Sequence, residues 1–506
     1  MKKLRIISLI LAILLTVSLA VSCSNGGNEN SEQPAGESSA ETASADDSAP
    51  GESSAEEVSR GPLDHLEDLA LNGETITFLV ENGASNSYGS VEIMPNEERG
   101  AEIAGSVLER NNLIEEKLGC TIAEIRTDNM TAALRNAVLD IPEFDIACPY
   151  LTTGAPLIME DLFLNLYDYD DIINFDAPYW DQNADEDLSL GGKLYMTTGD
   201  FSLLTMDVTH ILIFNKNLIV SNGLESPYAL VESGDWTMDK MLEMARAVTK
   251  DDDGTEGLSY KDTIGFFYNW NYANSLYIAS GEKFVKKNSE GIPELAFAGE
   301  KQAAVAKKVY DIFHDDKVLY DEGFNAQAQA DGFKECYAAT RDRLGNDGAL
   351  FVSTALIEVL NMAQYDCNFG MLITPKYSKD QDRYYTYISV IFATGVVIPA
   401  SHPEPEKAAL MLEALNAAST STVKFDYYER ILKLQKARDQ EDSDMLDLIF
   451  STRVYDIGSI FNWGGCRDFI ANVCNGTSFN YTSSLESAIG KMESEMQDTV
   501  DYFSGD

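Results

Sequence analysis

GETITFLVEN (73–82), AEIAGSVLERNNLIEEKLG (101–119), CTIAEIRT (120–127), MTAALRNAVLD (130–140) and FDIACPY (144–150) decide the fold between them. In the first run β-branched and apolar residues alternate, which is strand spacing. In the second, apolar residues recur at helical spacing and Gly119 marks the stop. The third is again a strand and the fourth a second helix. The fifth is short, apolar and reads as a largely buried strand. Strand–helix–strand–helix–strand implies a parallel sheet with helices on both faces.

Moving outward, the same grammar returns in HILIFNKNLI (210–219), WTMDKMLEMARAVT (236–249) and TIGFFY (263–268). Near the end, YYTYISVIFATGVVIPA (384–400) reads as a long strand, and PEPEKAALMLEALNAAS (403–419) as a helix. From about Gly61 to Asp506 the chain is too long for one core. The expected architecture is α/β, with two lobes joined by extended crossover segments.

The amino terminus carries an address. Lys2, Lys3 and Arg5 precede the apolar run Ile6 to Val21, and small residues lead to Cys23. This is the order of a secretory signal, and a cysteine at the cut resembles a bacterial lipobox, although Ala20 rather than leucine stands three residues back. An ordinary signal peptide or an uncleaved anchor is the alternative. A lipid on Cys23 would anchor the mature chain to a membrane without spanning it. Residues 24 to about 60 are Ser, Ala, Glu, Gly, Asp and Asn with almost no hydrophobes, and GESSAE occurs at 36–41 and again at 51–56. Such a segment buries too little apolar surface to order itself and reads as an extended acidic leash.

The net charge is −46, most of it on the globular part. A surface this acidic repels nucleic acid and anionic lipid. Beyond Cys23 there are Cys120, Cys148, Cys336, Cys367, Cys466 and Cys474, and the histidines are His65, His210, His314 and His402. No CxxC pair or close Cys/His spacing supports a zinc site or a nucleophile pair. The cysteines read as small core residues. DDDGTEG (251–257) departs from a calcium loop, because Thr249 and Tyr260 stand where acids are needed. It reads as a solvated turn. No metal or cofactor is expected.

Four phrases in order carry a family resemblance: FDIACPYLTTGAPLIMEDLFLNLYDYDD (144–171), HILIFNKNLIVSNGLESPYALVESGDWTMDKMLEMARAVTKDDDG (210–254), GVVIPASHPEPEKAALMLEAL (395–415) and the stretch from Tyr428 to Trp463. Together they resemble the extracellular solute-binding proteins of ABC importers, the family that contains maltose-binding protein. The last phrase is similar to a branch found in gut clostridia. The resemblance implies a two-lobed, periplasmic-binding-protein-like (type II) clamshell with lobe 1 at 61–205 and 388–420. Lobe 2 is then 206–387 and 421–506, with crossings near Leu203–Thr209, Arg383–Ser389 and Ser419–Tyr427. It further implies a receptor, acting as a monomer, that delivers a carbohydrate to ABC permease subunits. Its address is then the outer face of the cytoplasmic membrane of a Gram-positive bacterium.

Sugar sites combine aromatic platforms with carboxylate and amide groups, and the chain holds 24 Tyr, 22 Phe and 4 Trp. Candidate ligand residues are Trp270, Tyr272 and Asn274 in NWNYANSLY, and Asn462 and Trp463 in SIFNWGG. Glu81 and Asn82 end the first strand, where open α/β sheets place ligands. Tyr150, Thr152 and Thr153 follow the third strand, and Asp207 and Thr209 sit at the first crossing. Tyr179 and Trp180 are ambiguous, and Trp236 is expected to be structural. The rival readings are a secreted glycoside hydrolase, for which two carboxylates suffice, and a surface carbohydrate adhesin. A peptide ligand stays open. No GxSxG, HExxH or P-loop phrase supports an enzyme.

Overall fold

β1 (Thr75–Glu81), β2 (Thr121–Thr127) and β3 (Ile146–Cys148) form a parallel sheet in the order β2-β1-β3. Phe78 lies opposite both Glu124 and Ile146. The structure, a computed structural model, describes residues 61–66, 69–83, 89–139, 141–252, 254, 256–433 and 440–504. Cys23, the signal and the leash lie outside the described residues. A returning segment extends the sheet, Val397 bridging Ala147 and Val396 bridging Thr197, both antiparallel. The helix Ala101–Leu118 buries Ile114 and Leu118 in one cluster with Ile76, Phe78 and Val80. It stops at Gly119 (φ +62°), whose N–H donates to Glu115 O at 3.0 Å. That left-handed conformation is cheap only for glycine.

The second sheet begins with β4 (His210–Asn215) and β5 (Ile264–Tyr268). After a hairpin of β6 (Val285–Lys287) and β7 (Pro293–Leu295), it takes in β8 (Val318–Tyr320), β9 (Ala349–Ala355) and β10 (Phe369–Leu372). The order is β10-β4-β9-β5-β8, with β4 antiparallel to both neighbours and β5 parallel to β8 and β9. Phe214, Phe266, Trp236 and Tyr272 belong to its core. Trp236 is fully buried, and its Nε1 donates to Ile373 O at 2.8 Å. Behind it the helix Met238–Val248 turns Met241, Met244 and Ala245 inward.

Three segments run between the two sheets and touch one another. The first, with the short helix Leu203–Asp207, leads into β4. The second runs from β11 (Thr386–Tyr387), which pairs with β12 (Arg453–Val454), back to the first sheet. The two are joined where Thr209 pairs with Ile388 and Ser389 N donates to Val208 O at 3.0 Å. The run 384–400 is therefore not one long strand. It pairs in short pieces because it serves both sheets, and Phe392 N and Ala393 N fold back on Ser389 O. The third segment follows the helix Pro405–Ser419, passing through a π turn at Thr420–Lys424 into the helix Phe425–Lys433. π turns insert a residue and redirect a helix.

A buried charge cluster ties these segments. Arg99 pairs with Glu92 at 2.8 Å and with Asp207 at 2.5 Å, and Tyr427 OH donates to Asp207 at 2.7 Å. Lys424 and Thr420 both bind Asp200. Asp207, expected from the sequence at the ligand, is instead fully buried and saturated by Arg99 and Tyr427. Thr209 is fully buried too, pairing with Ile388 while its Oγ1 donates to Thr205 O at 3.2 Å. Among the described residues no helix is long and apolar enough to cross a membrane.

Candidate functional site

Both sheets turn their carboxyl ends toward the crossing segments. β3 runs into Tyr150, which bridges Thr394 on the returning segment. β9 ends at Ala355, opposite His210, the residue that follows the first crossing. Ligands of open α/β sheets bind outside the strand carboxyl ends.

The edge of the first sheet is closed on itself. Glu81 accepts from Tyr150 N at 3.0 Å and from Thr153 Oγ1 at 3.2 Å, so the end of β1 is fastened to the start of the helix Leu151–Ile158. Burial raises the Glu81 carboxyl above its ordinary range, and those two donors pull it partly back. Asn82 donates to Asp128 at 2.8 Å. Tyr150 stands edge-on to Phe392, ring centres 6.0 Å apart. Burial, with Glu81 beside it, pushes its phenol up to about 12. Thr152 is half-buried two residues further on. Glu81, Asn82, Tyr150, Thr152 and Thr153 thus lie at one edge, and Glu81, Tyr150 and Thr153 are in direct contact.

The edge of the second sheet is open. A cavity of about 340 Å³ is lined by Asn269 and Asn271 after β5, Asp321 after β8, and Thr354, Ala355, Ile357 and Glu358 at the end of β9. His210, Val352, Ser353, Glu335, Tyr337, Thr340 and Arg341 complete the wall. Asn269 is set by Ser353, whose Oγ receives its backbone N–H at 3.0 Å and whose carbonyl receives its amide at 3.2 Å. Arg341 Nη1 donates to Glu358 at 2.6 Å, and its Nη2 lies 4.0 Å from Glu335. Tyr337 OH donates to Glu322 at 2.7 Å. His210 shares a hydrogen bond with Ser275 at 2.7 Å and meets Tyr387 edge-on at 4.9 Å. Burial pushes the imidazole down to about 4, which keeps it neutral near pH 7. Burial also raises the Asp321 carboxyl well above its usual range.

Of the sequence candidates near this cavity, Trp270 falls between the lining residues Asn269 and Asn271 but is itself half-buried against the core of the second sheet, its backbone N–H donating to Glu322 at 3.3 Å. Tyr272 and Asn274 are not on the wall. Every residue of the helix Tyr272–Ala279 is buried, and Asn274 donates to Arg467 O at 3.1 Å. The neighbours Asn269 and Asn271 hold the positions that Tyr272 and Asn274 were expected to hold. Trp463 is 3 % exposed, stacks on Phe461 at 4.9 Å and donates from Nε1 to Thr499 Oγ1 at 2.9 Å. Asn462 adopts φ +53° and accepts from Arg467 N at 3.1 Å. Gly464 brings this turn against the helix Tyr481–Ser504, where a Cβ would sit 2.5 Å from Met492 N. The pair is therefore built into the carboxy-terminal core. Trp180 and Tyr179 both bind Glu413, which is fully buried.

All six described cysteines are free thiols. In the 251–257 turn, Asp252 pairs with Lys250 at 2.5 Å and accepts from Thr263, while Asp253 and Thr255 lie outside the described residues.

No protein-family model matches the chain, nor does any curated protein sequence. Solved structures do. A cyclo/maltodextrin-binding protein complexed with maltotetraose aligns over 84 % of this chain and 97 % of its own, at 14 % identity and a TM-score of 0.55. The maltose-binding protein MalE of Listeria monocytogenes, in complex with maltose, aligns over 84 % and 98 % at 12 % identity and a TM-score of 0.52. An ABC substrate-binding protein of the same organism, in complex with cycloalternan, aligns over 84 % and 99 % at 13 % identity and a TM-score of 0.50. The fold of this chain is that of the two-lobed, periplasmic-binding-protein-like solute-binding proteins.

Proposed function

We propose that the chain is the extracellular solute-binding receptor of an ABC importer, capturing a sugar or oligosaccharide between its lobes and handing it to the permease. The likeness to solved structures that hold maltotetraose, maltose and cycloalternan supports this reading. The observation that carries it is the cavity at the carboxyl edge of the second sheet, beside the crossing segments. Asparagine amides, carboxylates and hydroxyls line it, with the aromatic ring of Tyr337 on the wall. These are the groups that meet sugar hydroxyls and C–H faces. Lobe 1 is taken as 61–205 and 388–420 and lobe 2 as 206–387 and 421–506. Closure then needs φ/ψ changes only in the three crossings. A lipid on Cys23 holds the receptor, as a monomer, at the outer face of the membrane, and the leash lets it reach the ligand. Its role is capture without turnover.

Calorimetric titration with malto-oligosaccharides and other neutral oligosaccharides, followed by analysis of the recovered sugar, tests the proposal. Saturable binding with the saccharide recovered intact is expected. Hydrolysis of the sugar would favour the glycoside hydrolase instead, and binding of peptides but no saccharide would overturn the sugar assignment.

A further inference from the structure

Where β8 ends, two carboxylates stand side by side. Asp321 lines the cavity although it is only 1 % exposed. Its Oδ1 accepts from Thr340 Oγ1 at 2.9 Å, and its Oδ2 has no partner among the described residues. The Oε1 of Glu322 is occupied by Tyr337 OH and Trp270 N–H, whereas its Oε2 is buried without a partner. Glu322 Oε2 is thus buried without a donor, which costs free energy until one arrives, and the neighbouring Asp321 carboxyl, on the cavity wall, holds a single hydrogen bond.

The charge of the wall points the same way. Among the lining residues the carboxylates Glu335 and Glu358, with Asp321 as a further buried acid, face a single cation, Arg341, already held by Glu358 at 2.6 Å. His210 adds no charge at neutral pH. At the edge of the first sheet the donors to Glu81 are a backbone N–H and a hydroxyl, both neutral. Closing the lobes on a neutral sugar would bury this surplus of negative charge uncompensated, and an anionic sugar would add to it. An ammonium group brings one positive charge and three donors with no acceptor.

We propose that this cavity takes an amino sugar, a saccharide whose protonated amine donates to Asp321 while neighbouring hydroxyls meet Asn269 and Asn271. The proposal rests on the receptor reading above and narrows its ligand class. Glu335, also on the cavity wall and partly exposed, supplies the second carboxylate that selects for the amine.

The test is calorimetry of the full chain with a glucosamine tetramer, its fully N-acetylated counterpart, maltotetraose and a galacturonate tetramer. The glucosamine tetramer should bind at least about tenfold more tightly than the N-acetylated form, and added salt should shrink that preference. Glu335→Gln and Asp321→Asn should each reduce the preference by about fivefold or more. Unchanged melting of Glu335→Gln would separate that loss from misfolding. Equal or tighter binding of the N-acetylated tetramer by the parent protein would overturn the proposal. So would a preference unchanged in both variants. If maltotetraose binds and the glucosamine tetramer does not, the amine assignment fails while the receptor reading stands. If no saccharide binds, both fail.

Discussion

Asn269–Trp270 and Asn462–Trp463 are the same dipeptide in two different settings. Asn269 leaves β5 at the carboxyl edge of the second sheet and lines the cavity, with its amide on Ser353 and its neighbour Trp270 half-buried. Asn462 sits in a left-handed turn between two helices, and Trp463 is enclosed against Phe461 and Thr499. Composition is equal at the two places, but the strand end is not. A tryptophan that follows a strand's carboxyl terminus stays half-buried beside the cavity-lining asparagines, whereas one held between helices completes a core.

The largest test of this contrast is Trp463→Ala. Removing an indole at 3 % exposure should cost about 3–5 kcal/mol of stability, read by chemical denaturation, with saccharide affinity retained in the folded fraction. A large affinity loss at nearly unchanged stability would instead move Trp463 to the ligand. His210, on the cavity side of the comparison, gives the next effect. Its folded pKa of about 4 lies below the ordinary histidine value, so its contribution is present above about pH 6.5 and is lost as pH falls toward 4. The loss should reach roughly 2–3 kcal/mol. Denaturation at pH 7 and at pH 4.5 should show a smaller difference in His210→Gln than in the parent, and equal differences would argue against a buried neutral imidazole. Trp270→Ala should weaken saccharide binding by about 1–3 kcal/mol with a smaller stability change than Trp463→Ala. Intact affinity in that variant would leave Trp270 without a ligand role. The smallest effect belongs to neither tryptophan. Tyr427→Phe deprives the buried Asp207 oxygen of its donor and should cost about 1–2 kcal/mol of stability, without touching the cavity wall.

Much of the fold is legible from spacing alone. The alternation in 75–81, the helical run closed by Gly119 and the apolar 146–148 become β1, the covering helix and β3. The second sheet is less so. β8 has three residues and is a strand only because it pairs with β5, and β9 carries no alternation because both its faces are covered. The cavity draws on 269–271, 321, 335–341 and 352–358, segments united by the order β4-β9-β5-β8 and by nothing local in the chain. Asp321, Glu335, Tyr337, Arg341 and Glu358 therefore escaped sequence reading, although a strand reading of ALFVSTA (349–355) would have pointed to the turn that holds Glu358. Asp207 misled for the opposite reason. Its place at the first crossing is legible, but its partners Arg99 and Tyr427 come from distant parts of the chain, and they consume it.

The account stands on two lobes closing across the open edge of the second sheet. Small-angle X-ray scattering during titration with an oligosaccharide that calorimetry shows to bind tests it most directly. The radius of gyration should fall and saturate with the binding isotherm, because closure brings the two sheet edges together. Saturated binding with an unchanged scattering curve would contradict the account.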